Sequence, residues 1–518
     1  MSAIERFDDF CLRLAARDNV AVVKRALAAG VELHGGPGRI TSLAAIAPGH
    51  KIAIAPVSEG QPLVKYGQVI GFASRDIAPG EHVHTHNVTA RDFGREHQFC
   101  VDARPVEYYP PEQARYFDGY QRPDGRIGTR NYVAVISSVN CSASVSRYVA
   151  DRFRTPEFRR DFPHVDGVVP FTHKVGCGIQ PGEPHRQLQR VLAGLARHPN
   201  IAGYVMIGLG CEVNQVHQIR DAHRLNVLRP GEPMPAFMTI QNLGGVAKTV
   251  EAGVDAIRAL LPQADAQRRT RQPISHFTLA LNCGGSDGSS GITANPALGF
   301  ASDELVRHGG ASVLAETPEI YGAEHLLTRR AVTRDVAEKL LERVRWWEEY
   351  ARIHGASIDN NPSFGNIEGG LTTIYEKSLG AVAKGGQSPL AAVYAYAETI
   401  AGRGFSFMDT PGYDPVSMTG LVCGGCNIGV FTTGRGSVYG CKPSPCIKVA
   451  SNTALFERMP DDMDINAGTI LDGTETLEQV GRRIFEKIVS VASGEQTNSE
   501  RQGIGDEEFA PWLLGPQL

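Results

Sequence analysis

Four cysteines in this 518-residue sequence stand in one recurring setting. Cys141 follows Ile136-Ser137-Ser138-Val139-Asn140, Cys177 follows Phe171-Thr172-His173-Lys174-Val175-Gly176, Cys211 follows Ile207-Gly208-Leu209-Gly210, and Cys283 follows Ala280-Leu281-Asn282. Each lies just past an apolar run of the kind that forms a buried parallel strand, and open α/β sheets bind ligands at the carboxyl ends of such strands. Three are flanked by small residues, in Gly176-Cys177-Gly178, Gly208-Leu209-Gly210-Cys211 and Cys283-Gly284-Gly285-Ser286, so backbone can approach a ligand closely. Taken singly, a free cysteine is more often a small buried apolar residue. Four in equivalent positions point instead to converging thiolates as metal ligands. The spacing is not the short C-x-x-C of a structural zinc ribbon, and a single Fe(II) or an iron–sulfur cluster with an open iron position fits better, with Mn or another divalent cation as the further choice.

A second group precedes the cysteines: Gly49-His50-Lys51, Lys65-Tyr66-Gly67 and His82-Val83-His84-Thr85-His86-Asn87. On a strand, alternate residues share a face, so His82, His84 and His86 would line one side, at the spacing of ligands or of a proton shuttle. A solvated histidine-bearing edge strand is the plainer alternative. Lys51 and Lys65 beside turn glycines are candidates to grip a carboxylate. In the last third, Thr432-Thr433-Gly434-Arg435-Gly436-Ser437 sets one arginine among small and hydroxyl residues after an apolar run, where a guanidinium and backbone N–H groups can hold a carboxylate. Cys423-Gly424-Gly425-Cys426 has the form of a redox dithiol but precedes no clear helix, and is read as structural.

The elements that must position these residues differ along the chain. Short β-type runs separated by Gly and Pro turns, at Asn19–Val23, Lys51–Ala55, Val69–Ala73 and His82–His84, suit a small all-β module over residues 1–95. The first eighteen residues read as an amphipathic helix, and residues 96–122, rich in Pro and Tyr, as a linker packed on a domain surface. From Asn131 apolar runs alternate with loops and helical patterns: Tyr132–Val139, Gly167–Phe171, Gly203–Leu209 and Phe277–Leu281, with helices at Ser144–Phe153 and His185–Ala196. That is a Rossmann-like parallel α/β pattern in two halves, 123–265 and 270–518, parted by the Arg/Gln-rich segment 263–273. The class is therefore multidomain α/β with a β module in front, as a length beyond the ~250–300 residues of one core requires.

Net charge is −4, from 52 basic and 56 acidic residues without a basic tract, which argues against nucleic acid as a partner. The beginning of the chain lacks the apolar core of a secretory signal, and no uncharged apolar stretch of ~18 residues follows, so neither export nor a membrane is expected. Ten cysteines without an export signal read as reduced thiols of a cytoplasmic protein. A homodimer is the commonest assembly for such a chain.

The ordered motifs resemble those of the altronate and galactarate dehydratase family. They include Gly49-His50-Lys51, Lys65-Tyr66-Gly67, Asp124-Gly125-Arg126-Ile127-Gly128-Thr129-Arg130-Asn131-Tyr132, Gly208-Leu209-Gly210-Cys211-Glu212, Cys283-Gly284-Gly285-Ser286-Asp287-Gly288, Gly369-Gly370-Leu371-Thr372-Thr373, Glu376-Lys377-Ser378-Leu379-Gly380 and Thr433-Gly434-Arg435-Gly436. The resemblance implies a SAF-type (β-clip) domain joined to the α/β region, and β-elimination of water from a sugar acid of the altronate or galactarate kind, a small-molecule hydroxy acid, to a 2-keto-3-deoxy product, with iron as the usual cofactor. A proton beside a carboxylate is very weakly acidic, so a Lewis acid that stabilises the enediolate is needed. It makes His50, Lys51, Lys65, His84 and His86 candidates for catalysis, and Asn140, Ser286, Asp287, Thr433, Arg435 and Lys442 candidates for holding substrate. Gly365-Asn366-Ile367-Glu368 and Gly436-Ser437-Val438-Tyr439-Gly440-Cys441-Lys442 depart from the family's pattern. A similar branch eliminates sulfite from sulfolactate, usually with the β module as a separate subunit. A non-catalytic carbohydrate-binding protein is a third reading, against which the cysteine loops argue.

Overall fold

In the computed structural model, residues 4–514 are described, apart from 92, 95, 96 and 229. The amphipathic helix expected at the start is not formed among them. Ile4–Arg6 is a strand, Phe7–Phe10 a single helical turn and Cys11–Leu12 a second strand, because Phe7 and Cys11 are drawn into the core of the β module with Leu33, Ile40 and Ile52. Residues 1–3 lie outside the described residues. The module folds from a four-stranded antiparallel sheet, Cys11–Leu12, Val20–Val23, Lys51–Ala53 and His82–Val83, with three-stranded sheets beside it. Its strands are brief because a glycine turn interrupts each one, at Gly30, Gly49, Gly60, Gly67 and Gly80, all at positive φ.

Residues 97–115 run over the C-terminal region, with Cys100 and Asp102 donating backbone N–H to Thr328 and Arg329 and Tyr109 donating to Arg307. Tyr116–Gln121 is not linker: it is a strand that pairs antiparallel with Arg269–Pro273. The Arg/Gln-rich separator is thus half helix end, half strand. Tyr116–Gln121 also pairs at its end with Ile127–Gly128, but Arg269–Pro273 pairs with Tyr116–Gln121 across about 150 residues, which local composition does not announce.

Two parallel sheets follow. The second region orders its strands Gly167–Phe171, Tyr132–Ser137, Ile201–Gly208, Ala236–Thr239, flanked by helices that include Ala143–Asp151, Glu183–Ala196 and Val246–Ala266. The C-terminal region has seven: Leu390–Tyr394, Gly404–Met408, Ala311–Leu314, Thr278–Cys283, Ile428–Thr433, Cys446–Ala450, Ile465–Asn466. In each sheet the first strand of the chain sits centrally and the chain leaves it on one side, then returns on the other. The crevice of the topological switch point therefore opens beside Cys141 in one sheet and Cys283 in the other.

The helix Ile374–Val382 is capped by Thr373, whose hydroxyl accepts from Glu376 N, and it packs against the β-module strand Gln68–Ala73 through Thr373 and the Ile70 carbonyl. The three tryptophans of the chain form one stack: Trp347 and Trp512 lie with ring centroids 5.2 Å apart, and Trp346 is 5.3 Å and 5.7 Å from them. Trp347 Nε1 donates to Asp409, which also accepts from Thr317.

Candidate active site

The β module meets the C-terminal region through glycine backbone. A Cβ on Gly288 would collide with the Gly49 carbonyl, and one on Gly370 with the same group, so His50 is delivered directly onto the loop 366–370. The turn after Val83 brings the other histidines to it. Asn87 is fully buried and accepts from His84 N at 2.9 Å while its amide donates to His82 O at 3.0 Å. His82, His84 and His86 are therefore grouped by an Asn-braced turn; the strand expected to align them ends at Val83. The rings gather closely, His50–His84 at 4.9 Å, His82–His84 at 5.3 Å and His82–His86 at 5.5 Å.

Their hydrogen bonds fix the tautomers. His50 Nε2 faces Glu368 O at 3.0 Å and His84 Nε2 faces Ile367 O at 2.9 Å, and a carbonyl only accepts, so both Nε2 atoms carry hydrogen. A neutral His50 then presents a bare Nδ1 to His82 Nε2 at 3.0 Å, making His82 the donor there. His82 Nδ1 is left as a free lone pair. Burial holds all three neutral: His82 is pushed down to about 3, and His50 and His84 are lowered, first by desolvation and then by Lys51 or one another.

Around this group lie the glycine loops. Arg435 donates to Glu368 Oε2 at 2.8 Å with its side chain 42% exposed, and its backbone N–H is held by Gly285 O. Asp287 faces inward, accepting from Ser289 N, Ser290 N, Ser290 Oγ, Ser451 Oγ and Asn452 Nδ2. Ser286 uses its carbonyl to hold Asn366, and Thr433 accepts from Gly436 N. Asp287, Ser286 and Thr433 thus shape the loops, and Arg435 is the group they present to solvent. Lys442 is elsewhere, paired with Asp506 at 2.6 Å.

Lys51 and Lys65, the candidates to grip a carboxylate, each hold an internal one instead of facing solvent. Both are buried against one internal carboxylate, Glu376, at 2.9 Å and 3.0 Å. Burial pushes Lys51 down to about 8, which the shared carboxylate does not offset, whereas Lys65 is held raised against burial by Tyr66 and Glu376. Glu376 itself, against its own desolvation, is drawn down to about 2 by the two ammonium groups.

One turn of the same helix leads to a second buried cluster. Lys377 donates to Glu319 at 2.6 Å and Asn361 at 2.8 Å, and Lys384 lies 2.8 Å from Cys283 Sγ and 3.8 Å from Glu316 Oε2. The thiol of Cys283 and the carboxylates of Glu316 and Glu319 approach within 4.8 Å of one another, all buried. Both Glu316 oxygens are buried without a hydrogen bond, and its backbone is left-handed at φ 72°. Orphaned buried carboxylate oxygens beside a thiol and a second carboxylate form a donor set that fits a divalent cation. Without such a charge, burial and then Glu319 raise Glu316 well above the usual carboxylate range, and lift Asp414 to about 7.

Cys283 is accordingly separated from the other three cysteines, because its strand belongs to a different sheet. Cys141, Cys177 and Cys211 end adjacent strands of the second region and are exposed. The Cys141 thiol is raised by partial burial and then by its neighbours Cys177, Glu212 and Cys211. Their loops are laced together: Val213 N and Asn214 N donate to Cys177 O and Gly176 O, Asn214 Nδ2 to Ser138 O, and Asn140 N to Val175 O. Glu212 accepts from Ser138 Oγ, Leu209 N and Gly210 N, and Gln241 lies 3.4 Å from Cys211 Sγ. Asn140 is exposed beside Cys141, and its side chain makes no hydrogen bond among the described residues. Cys423 and Cys426 are buried with thiols pushed up by that burial.

Lys384, Glu316 and Glu319 carry no sequence signal of their own, and Glu376 and Lys377 stand in the sequence only as part of the family motif Glu376-Lys377-Ser378-Leu379-Gly380, without a role. Glu376 and Lys377 did carry a signal, as two charges inside the helix pattern Ile374-Tyr375-Glu376-Lys377-Ser378-Leu379 with apolar residues on both sides.

Comparisons with known proteins agree along the whole chain. Residues 9–91 match the altronate/galactarate dehydratase SAF domain, 119–265 the second domain of D-galactarate dehydratase/altronate hydrolase, and 274–517 the C-terminal domain of D-galactarate/altronate dehydratase. Altronate dehydratase of Bacillus subtilis (strain 168) is 35% identical over 98% of this chain and 99% of its own. Galactarate dehydratase (L-threo-forming) of Escherichia coli (strain K12) is 35% identical over 96% of each. The (2R)-sulfolactate sulfo-lyase subunit beta of Chromohalobacter salexigens is 30% identical over 77% of this chain and 97% of its own.

Proposed function

Because this chain belongs to the D-galactarate/altronate dehydratase family, we propose that it is a hydro-lyase that removes water from a sugar acid of the altronate or galactarate kind, giving a 2-keto-3-deoxy acid. The observation that carries the reading is the imidazole group of His50, His82 and His84, held neutral by burial and with His86 beside it, set on the loop 366–370 whose Glu368 pairs with Arg435. Arg435 binds the substrate carboxylate in two-pronged fashion, exchanging it for Glu368. His82 Nδ1, the one lone pair that the tautomer chain leaves open, takes the proton next to that carboxylate. The electron pair of the broken C–H bond forms the C=C bond as the neighbouring C–O bond breaks. The proton held on His82 goes to the departing hydroxide, so water leaves and the enol relaxes to the keto acid. His50 and His84, each anchored on a backbone carbonyl, keep His82 in its tautomer and orientation.

The cofactor is a metal ion, iron in our reading, and when bound it supplies Lewis-acid stabilisation of the enediolate charge. The buried Cys283, Glu316 and Glu319 are gathered within 4.8 Å and fit a single divalent cation such as Fe(II) or Mn(II), and the solvent-facing Cys141, Cys177 and Cys211, set more widely, are the candidate ligands of an iron–sulfur cluster. The second reading is elimination of sulfite from a sulfolactate-type substrate, favoured by the sulfo-lyase similarity over most of this chain. Iron and acid-labile sulfide analysis of anaerobically purified protein, with turnover of altronate, galactarate and sulfolactate, tests both. A 2-keto-3-deoxy acid product upholds the dehydratase, sulfite release replaces it with the sulfo-lyase, and no turnover of any of the three overturns the enzyme reading.

A further inference from the structure

A cavity of about 860 Å3 lies between the second and C-terminal regions, and the elimination makes no use of it. Its walls include Ile201, Thr278 and Asn427, which stand at or just before the beginnings of strands Ile201–Gly208, Thr278–Cys283 and Ile428–Thr433. The cavity is therefore at the amino-terminal edges of both sheets, opposite the edge that carries the cysteine loops.

Its lining is strongly cationic. Arg122, Arg126, Arg190, Arg197 and Arg224 reach it, against the carboxylates of Asp124 and Glu232. Arg122 is the most telling. It is buried, and among the described residues its hydrogen bonds all go to neutral acceptors, with Asp166 and Asp124 acting on it only through space: Pro199 O at 2.6 Å, Asn131 Oδ1 at 2.8 Å, Arg130 O at 2.9 Å and the Gln267 side chain. Desolvation pushes it down to about 10. A buried guanidinium without a contacting carboxylate is electrostatically costly, and an anion in the adjoining space offsets that cost. His198 on the same wall is locked neutral: its Nδ1 accepts from Asn200 N at 3.0 Å, and its Nε2 donates to Cys426 O at 3.1 Å. It adds a polar wall without cancelling the positive charge. The volume is in the ordinary range for a small-molecule site.

We propose that this cavity is a second ligand site, one that binds a compact, multiply charged organic anion through phosphate or carboxylate groups on the arginines of the second region, at a distance from the catalytic loops. Arg190 on the helix Glu183–Ala196 and Arg224 on the segment 222–233, both of the second region, give such an anion more than one cationic contact, which a lone surface cation does not, and the C-terminal wall adds Thr278 and Asn427 without a cation.

Calorimetric titration of the full-length protein at low ionic strength with pyrophosphate, and separately with citrate, tests the site. The wild type binds at least one probe, and Arg190→Gln or Arg224→Gln weakens it about tenfold or more, with turnover in the absence of probe unchanged. Pyrophosphate alone identifies a phosphate ligand, citrate alone a carboxylate one. Arginine modification by phenylglyoxal, mapped by mass spectrometry on the unmutated protein, removes any dependence on the variants folding: the bound probe shields Arg190, Arg197 and Arg224. Binding of neither probe, equal binding by an Arg190→Gln/Arg224→Gln double variant, or no shielding overturns the proposal.

Discussion

Replacing Glu376 with Gln keeps the shape of the side chain and removes the charge that Lys51 and Lys65 share. The carboxyl lies at about 2 in place of its ordinary 4.5, and at about 1.36 kcal/mol per unit this is about 3 kcal/mol of interaction favouring the folded, ionised state. Deleting one partner of a buried ion pair costs about 3–5 kcal/mol in general, because the remaining charge stays buried. Both routes give about 3 kcal/mol for Glu376→Gln, and the loss is local, at the contact between β module and helix Ile374–Val382. Hydrogen–deuterium exchange reads it there: amides of Lys51–Ala53 and Pro62–Lys65 exchange about a hundredfold faster than in wild type, while Tyr132–Ser137 in the second region is unchanged. The pH arm has a definite sign. A depressed carboxyl stabilises above its unfolded value, so the contribution is complete above about pH 4.5 and disappears as pH falls towards about 2. The Gln variant lacks that acid transition. Exchange within threefold of wild type at pH 7 refutes the reasoning, because the triad would then be electrostatically idle.

His82→Gln lowers kcat by about 10²–10⁴ with KM little changed, whereas His86→Gln, whose ring stands at the edge of the group, has a smaller effect; steady-state kinetics separates them. Arg435→Lys keeps the charge but loses the fork, and raises KM about tenfold or more with kcat nearly retained, as initial-rate measurements over substrate concentration will show. Serine at Cys141, Cys177 and Cys211 together removes sulfide and most iron if those loops hold a cluster, and Cys283→Ser removes iron without touching sulfide if the buried set holds the ion. Metal analysis of both proteins distinguishes the two sets.

The parallel strands were legible because burial on both faces writes them as unbroken apolar runs: Gly167–Phe171 has its expected bounds, and Tyr132–Ser137 is two residues shorter than its run. The β module was legible from its glycine turns. What escaped was long-range. Arg269–Pro273 becomes a strand by finding Tyr116–Gln121, and no local pattern marks such a pair. Within the candidate site, the residues at strand ends were found because topology alone locates them. Cys283 joined the wrong companions because its motif looks like the other three, and sheet membership is a tertiary property. Glu376 and Lys377 face opposite clusters from adjacent helix positions, a division that is set by what packs on either side.

The gathering of every tryptophan into one stack has a practical meaning. Trp347 shares Asp409 with Thr317, the neighbour in sequence of Glu316, so the indoles are tied through one carboxylate to the segment that carries the buried cluster, while the β module and the cysteine rim hold none. Emission excited at the red edge of the ultraviolet is therefore a signal with a single address. It follows events in that one chamber in the unlabelled protein and stays dark to the rest of the molecule.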